Sequence, residues 1–220
     1  MTGARQEILE RIAAAVTGAP ETDPLPRGYR RAGTLGAEER TALFCVRVGE
    51  YRAEVERIAE ADVAATVESV CSSRGVQTLA VPVGVPDSWR PAKVRLVEDT
   101  LLSPRELDAL DGTLTGCTAA VAETGTIVLT AGPREGRRAL TLVPDVHICV
   151  VRETQIVELL PEALALLGAG GFELRPITFI SGPSATSDIE LTRVEGVHGP
   201  RNLVVLVVTD ALDLTQSVRA

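Results

Sequence analysis

Apolar positions along the first half of the chain alternate between helical and strand spacing. Ile8, Ile12 and Val16 recur at helical spacing within a predicted helix over residues 5–16. Further helical patterns cover residues 38–48 and 62–72, with Asp62 as the expected cap, and strand patterns cover 53–58, 78–81 and 94–97. Ser103, Pro104 and Glu106 have the spacing of a capped helix start. This alternation of strands and helices predicts an α/β fold.

The second half of the chain is richer in strands. Strand patterns cover residues 118–122, 126–130, 139–143, 146–151 and 177–180, and a helical pattern covers 154–167 with Pro161 in its middle, where we expect a kink. Ser187 and Glu190 have capping-box spacing, so we predict a helix start after the 177–180 strand. That order would place the intervening loop at the carboxyl end of a sheet, where α/β proteins bind ligands. Residues 203–208 are wholly apolar, which predicts a strand buried on both faces.

Composition limits the size and the chemistry of the protein. With 220 residues, 45% of them hydrophobic, the chain can form one sizeable core. We therefore predict one domain over residues 37–220, preceded by a helix and arm over residues 1–36. The formal net charge of −8 argues against a nucleic-acid partner, and no membrane span is expected.

The four cysteines are scattered, without a Cys-x-x-Cys pair. They give no local set of ligands for an iron–sulfur cluster or a structural zinc ion, so we expect no cofactor in this chain. The first residues alternate charged and apolar side chains, unlike a signal peptide. A reducing cytoplasm is the expected location.

Two segments of the central strands carry candidate catalytic groups. Glu123 ends a predicted strand beside Gly125, where its carboxylate could act as a nucleophile, base or ligand, or bond nearby turn amides. Alternation within 146–151 places Asp145, His147 and Cys149 on one face. His147 is a candidate acid/base or metal ligand, or a histidine bonded to a backbone carbonyl. Cys149 is a candidate thiolate or a buried space-filling residue.

Later loops supply the remaining candidates. His198 lies between glycines before the last strand, open to solvent or ligand. Asp188 is a fourth candidate catalytic residue, and we expect it to meet Glu123, His147 and His198 in a common pocket. Arg134, Arg137 and Arg138 lie in a glycine-framed turn that could clamp a carboxylate or form a solvated tip. The predicted ligand-binding residues are Ser181, Gly182, Ser184, Thr186 and Arg137.

These same segments resemble a known family. Glu123-Thr-Gly-Thr, Pro144 followed by His147, the segment from Ile180 to Glu190 (Ile-Ser-Gly-Pro-Ser-x-Thr-x-Asp-Ile-Glu) and Gly196-Val-His-Gly-Pro200 together resemble the LUD-domain family of lactate-utilisation protein C. The likeness spans about residues 37–209. It implies a fold similar to the NagB/RpiA/CoA-transferase group, with three α/β/α layers around a mainly parallel sheet. It identifies no catalytic residues.

The resemblance also implies a role in converting L-lactate to pyruvate beside iron–sulfur partner proteins. In that case the chain is a non-redox component, and the partners hold the clusters. A second possibility is a stand-alone CoA-transferase-like enzyme with Glu123 as the thioester-forming nucleophile. A third is a metal-assisted hydrolase or isomerase that uses His147, His198 and Asp188.

Overall fold

The structure is a computed structural model. It describes residues 3–18, 27–171, 175–183, 185–187, 193–196 and 198–209. The chain divides into two compact units, residues 1–30 and 31–220. The first unit contains helix α1 (Gly3–Val16), whose range agrees with the predicted helix.

The described residues of the second unit form strands and four further α-helices. The strands are β1 (Glu54–Ala59), β2 (Thr78–Val81), β3 (Arg95–Glu98), β4 (Gly112–Thr115), β5 (Ala119–Val121), β6 (Thr126–Leu129), β7 (Val146–Arg152), β8 (Ile156–Val157), β9 (Thr178–Ile180), β10 (Ala185–Ser187), β11 (Arg193–Glu195) and β12 (Asn202–Thr209). The helices are α2 (Ala37–Glu50), α3 (Val63–Arg74), α4 (Pro104–Asp108) and α5 (Leu160–Ala169).

Six strands form the central sheet, in the order β1-β12-β7-β4-β2-β3. Every described ladder in this sheet is parallel. The run from Leu203 to Val208 in β12 is buried throughout, as the sequence predicts, because β12 lies between β1 and β7 with both faces covered. The predicted α/β fold around a mainly parallel sheet is therefore confirmed.

The two faces of the central sheet carry different layers. Val204, Leu206 and Val208 pack with side chains of α3 and with Trp89 on one face. Leu203, Val205 and Val207 pack on the other face with side chains of α2 and of a second sheet, ordered β8-β5-β6-β9. Helix α5 covers the far side of that second sheet. In the described part of the chain, none of the helices has both the length and the apolar character needed to cross a bilayer.

Several predicted elements were wrong, each for a local reason. Residues 138–141 form a 3-10 helix instead of a strand, and the Thr141 hydroxyl bonds to the Arg138 carbonyl at 3.3 Å, a local bond that competes with strand pairing. Helix α5 begins only at Leu160. Pro161 therefore lies in its first turn, where a missing N–H removes no helical bond, and causes no mid-helix kink.

Two further corrections concern helix starts. Ser187 does not begin a helix as predicted, because it ends β10 and pairs with Arg193 in the antiparallel hairpin β10–β11. Its backbone groups are therefore used in a ladder. At the start of α3, the Asp62 side chain makes no capping hydrogen bond, since a 3-10 turn over Glu60–Asp62 leads directly into the helix.

Candidate functional site

A pocket of about 320 Å³ lies at the amino edge of the central sheet. His147 and Leu203, the second residues of β7 and β12, line it together with β9 and the loop that follows β9. The other lining residues are Arg138, Thr141, Leu142, His198, Gly199 and Pro200. We call this cavity the histidine pocket. It adjoins an open cleft of about 1100 Å³, and Arg138, Leu142, His198 and Gly199 line both.

The position of the pocket corrects the prediction that this loop lies at a carboxyl edge. β9 does not belong to the central parallel sheet; it pairs antiparallel with β6 in the second sheet. Its carboxyl end therefore delivers Ser181, Gly182 and Pro183 to the edge where β7 and β12 begin. The rule that ligands bind at the carboxyl ends of strands holds for parallel sheets, so it does not apply to β9, which is antiparallel to its neighbour.

His147 is buried against the floor of the pocket, with 1% of its surface exposed. Its Nε2 lies 2.8 Å from the Thr115 hydroxyl of β4, and the two share a hydrogen bond. Cys149 follows on the same face, where the neighbouring residues Val146, Ile148 and Val150 point to the opposite side. The bond to Thr115 fixes the ring of His147, so its orientation in the pocket is set by the sheet.

The buried thiol of Cys149 contacts both this histidine and the buried thiol of Cys117. Hydrogen bonding from Cys117 lowers the pKa of Cys149, burial opposes that effect, and contacts with His147 and Thr115 lower it further. The same contact with Cys149 raises the pKa of Cys117 well above the usual value. Cys149 is therefore the more acidic thiol of the pair. Neither sulfur lines the histidine pocket.

Ser181 and Gly182 form the wall opposite the sheet. The Ser181 hydroxyl lies 2.7 Å from that of Thr126, which lies 2.7 Å from that of Thr124, so three hydroxyls connect the pocket to the β5–β6 turn. Gly182 has φ +100°, and a Cβ added there would lie 2.5 Å from the Cβ of Tyr51. Only glycine fits this close approach, so Gly182 sets the path of the loop.

Two neighbouring arginines have different environments. Arg137 donates to both carboxylate oxygens of Asp99, at 2.7 and 2.9 Å, and to the Leu102 carbonyl. It lines a separate cavity of about 440 Å³. Arg138 instead lines the histidine pocket, and its guanidinium has no hydrogen-bond or ion-pair partner among the residues that the structure describes. The backbone at Arg137 is extended, which directs the two side chains apart.

Glu135 holds the turn that leads to these arginines. It is buried and accepts hydrogen bonds from Thr130 and Gly132 amides at 2.5 and 3.0 Å, and from the Thr118 hydroxyl. Sequence reasoning did not single out Glu135 or Thr115. An acidic residue inside Gly132-Pro-Arg-Glu-Gly136 was the available signal, because a carboxylate in such a turn can bond its free amides.

The structure brings some of the predicted residues together and leaves others apart. His147, His198, Ser181 and Gly182 line the histidine pocket. Glu123 is exposed in the turn after β5, where its amide donates to the Glu158 carbonyl at 3.0 Å, and it is not among the residues that line this pocket. Asp188 and Ser184 lie outside the described residues, as does the side chain of Thr186, whose backbone is in β10.

Metal ligation was the third chemistry that the sequence suggested. Among the described residues, no three or more histidine, cysteine, aspartate or glutamate side chains are grouped so as to hold a metal ion. The described pocket instead combines imidazole, hydroxyl and guanidinium groups with an apolar wall. Such groups bind and orient small polar molecules.

The fold and pocket define an α/β protein with a ligand-sized cavity at the amino edge of a parallel sheet. A family model described as the LUD domain matches residues 95–208. A protein of Deinococcus radiodurans named lactate utilization protein C is 42% identical over 207 residues, covering 93% of this chain and 95% of its own length. The chain therefore belongs to the LUD-domain family.

Two further proteins are similar to this chain. An uncharacterised protein of Neisseria meningitidis is 27% identical, with 93% of each chain covered. The crystal structure of a DUF162 family protein from Deinococcus radiodurans matches with a TM-score of 0.69 and 36% identity, covering 80% of this chain and 99% of that one. The fold is thus shared with an experimentally determined relative.

Proposed function

We propose that this protein acts in L-lactate utilisation, as a non-redox component that works beside iron–sulfur partner proteins. The observation that carries the proposal is the 42% identity, over nearly the whole of both chains, to the Deinococcus radiodurans protein named lactate utilization protein C. Relatives with that name also occur in Geobacillus kaustophilus, matching about half of this chain at 34% identity.

The proposed reaction divides between this chain and its partners. Oxidation of L-lactate to pyruvate releases two electrons and two protons. In the proposal the iron–sulfur clusters of the partners accept the electrons, and this chain contributes binding and positioning. The four free cysteines support a reducing cytoplasm as the site of action, since thiols persist there.

The experiment combines growth with reconstitution. In a bacterium that grows on L-lactate, we expect deletion of this gene to abolish growth on L-lactate but not on pyruvate. Purified partner proteins should reduce a dye with L-lactate only when this chain is added, and the chain should co-purify with them. Unchanged growth of the deletion strain on L-lactate, or full dye reduction without the chain, would contradict the proposal.

A parallel assay tests the chain as a stand-alone enzyme. The protein is incubated with an acyl-CoA, and mass spectrometry follows the peptide that contains Glu123. We expect no added acyl mass, because Glu123 lies outside the histidine pocket. A stable acyl adduct on Glu123 that turns over with an acceptor acid would favour a transferase instead.

A further inference from the structure

We propose that the histidine pocket binds a small 2-hydroxy- or 2-oxo-monocarboxylate, with Arg138 as the carboxylate-binding residue. This inference rests on the proposed function and deepens it, because it assigns the ligand site to this chain and names the group that holds the ligand.

Arg138 is the first reason for this assignment. Two other arginines near the pocket already have partners: Arg137 is paired with Asp99 at 2.7 Å, and Arg201 with Asp145 at 3.2 Å. Arg138 has none among the described residues, and it lies at the boundary between the pocket and the open cleft. A planar guanidinium binds a carboxylate through two parallel hydrogen bonds, which also fix the ligand's orientation.

The composition of the pocket provides the second reason. The imidazole of His147 and the hydroxyl of Ser181 can hydrogen-bond a second oxygen on the ligand. His147 is held by Thr115 and Ser181 by Thr126, so both polar groups are fixed before a ligand arrives. Fixed groups of this kind discriminate between a ligand that carries the second oxygen and one that lacks it.

The remaining wall suits a short apolar substituent. Leu142, Phe179, Pro200 and Leu203 line the pocket beside the polar groups. The volume of about 320 Å³ lies at the lower end of the range for ligand sites, roughly 300–1000 Å³. A carboxylate, a neighbouring oxygen and a small alkyl group therefore match the three kinds of surface present.

Binding to the purified full-length chain tests the proposal. Isothermal titration and ligand-observed NMR measure the affinities for L-lactate, pyruvate, propionate and inorganic phosphate. The salt concentration is about 150 mM, because weak electrostatic attraction at the surface is then screened. We expect L-lactate and pyruvate to bind. Propionate should bind about tenfold more weakly, because it lacks the second oxygen and leaves polar groups unpaired.

Substitutions assign the binding to the arginine. Arg138→Gln should weaken L-lactate binding about tenfold or more, the effect of losing charge-assisted bonds, and Arg138→Lys should recover part of it. Arg134→Gln is the matched control, since it removes the same charge from a nearby exposed arginine that does not line the pocket. It should leave the affinity within about twofold. The fluorescence of Trp89, the single tryptophan, confirms that each variant is folded.

Three results would overturn the inference: no binding of either ligand, equal weakening by Arg134→Gln and Arg138→Gln, or phosphate competing as well as pyruvate. These results differ from a failure of the proposed function. If the deletion strain cannot grow on L-lactate and yet the chain binds neither acid, the function stands and the ligand site lies elsewhere. If the chain binds L-lactate but the deletion strain grows normally, the function fails and the site remains.

Discussion

Replacing Glu135 should destabilise the protein strongly, because its buried carboxylate holds the turn before Arg138. Only 3% of its surface is exposed. Oε2 accepts hydrogen bonds from the backbone amides of Thr130 and Gly132 at 2.5 and 3.0 Å, and from the Thr130 hydroxyl at 3.2 Å. Oε1 accepts a hydrogen bond from the Thr118 hydroxyl.

The size of the effect follows from which donors lose their partner. Glu135→Ala leaves the Thr130 and Gly132 amides buried without an acceptor, at about 1–3 kcal/mol each. The Thr118 and Thr130 hydroxyls already lie 2.8 Å apart and can bond each other, so they add little. We expect a loss of about 4 kcal/mol in the free energy of unfolding.

Glutamine separates hydrogen bonding from charge at this position. The oxygen of Glu135→Gln can still accept from both amides, and its NH2 group can donate to the Thr118 hydroxyl. The remaining loss is the charge assistance of those bonds, about 1–2 kcal/mol. The free energies of unfolding of the alanine and glutamine variants should therefore differ by at least about 1.5 kcal/mol.

Urea unfolding followed by the fluorescence of buried Trp89 measures these values. Glu56→Ala, at an exposed position of β1, is the control and should change stability by less than about 0.5 kcal/mol. Equal losses in the alanine and glutamine variants, or a loss below about 1 kcal/mol in Glu135→Ala, would refute the reasoning from unsatisfied amides.

Three other perturbations test separate features. Burial raises the pKa of Asp99, but hydrogen bonds from Arg137 and from the Leu102 and Leu101 amides together outweigh it and hold the pKa below its ordinary value. The stabilising contribution of Asp99 is thus complete above that ordinary value and is lost as the pH falls through the lowered pKa. Asp99→Asn should therefore flatten the acid arm of a melting-temperature profile, whereas an unchanged arm would argue against this. Gly182→Ala should lower both stability and ligand affinity because of its φ of +100° and its close approach to the Cβ of Tyr51. Adding Tyr51→Gly to this variant removes the contact with that Cβ but leaves the backbone strain, and normal binding by Gly182→Ala would contradict a fixed loop. An aromatic disulfide reagent should react first with Cys45, which is only half-buried, whereas all four thiols should react only in denaturant. The reaction at Cys45 should be slow, because burial raises the pKa of this thiol.

Elements with a strong local signature could be predicted from the sequence. The apolar run of β12 reflects burial on both faces, and a strand of that kind needs no further context. The capping box at Ser103 is present, with bonds of 2.7 and 3.3 Å to Glu106, because its partners lie within one helical turn. In both cases the stabilising contacts are visible within a few residues.

Elements that depend on distant partners could not be predicted. Strand β4 contains Gly112 and two threonines, and the Thr113 hydroxyl bonds to the Ala80 carbonyl 33 residues away. The composition of β4 is typical of a loop, and the segment becomes a strand because it pairs with β2 and β7 in the central sheet. Likewise, β9 delivers the 181–183 loop to the amino edge through long-range pairing with β6.

The candidate site shows the same division. His147 and His198 could be selected from the sequence as residues with suitable chemistry. The difference between Arg137 and Arg138 could not, because it is decided by Asp99, which lies 38 residues from Arg137 along the chain. Chemical type is local information, whereas the availability of a charge depends on what the fold places beside it.

The position of β12 between β1 and β7 also has a consequence for biosynthesis. The Thr209 hydroxyl bonds to the carbonyl of Ile58, 151 residues earlier, and β12 is the last of the described strands to leave the ribosome. Until it emerges, the nascent chain holds β1 and β7 with a gap between them and their edges unpaired. The sheet therefore cannot be completed until β12 has left the ribosome, and before then the unpaired edges of β1 and β7 are the surfaces that a chaperone would have to cover.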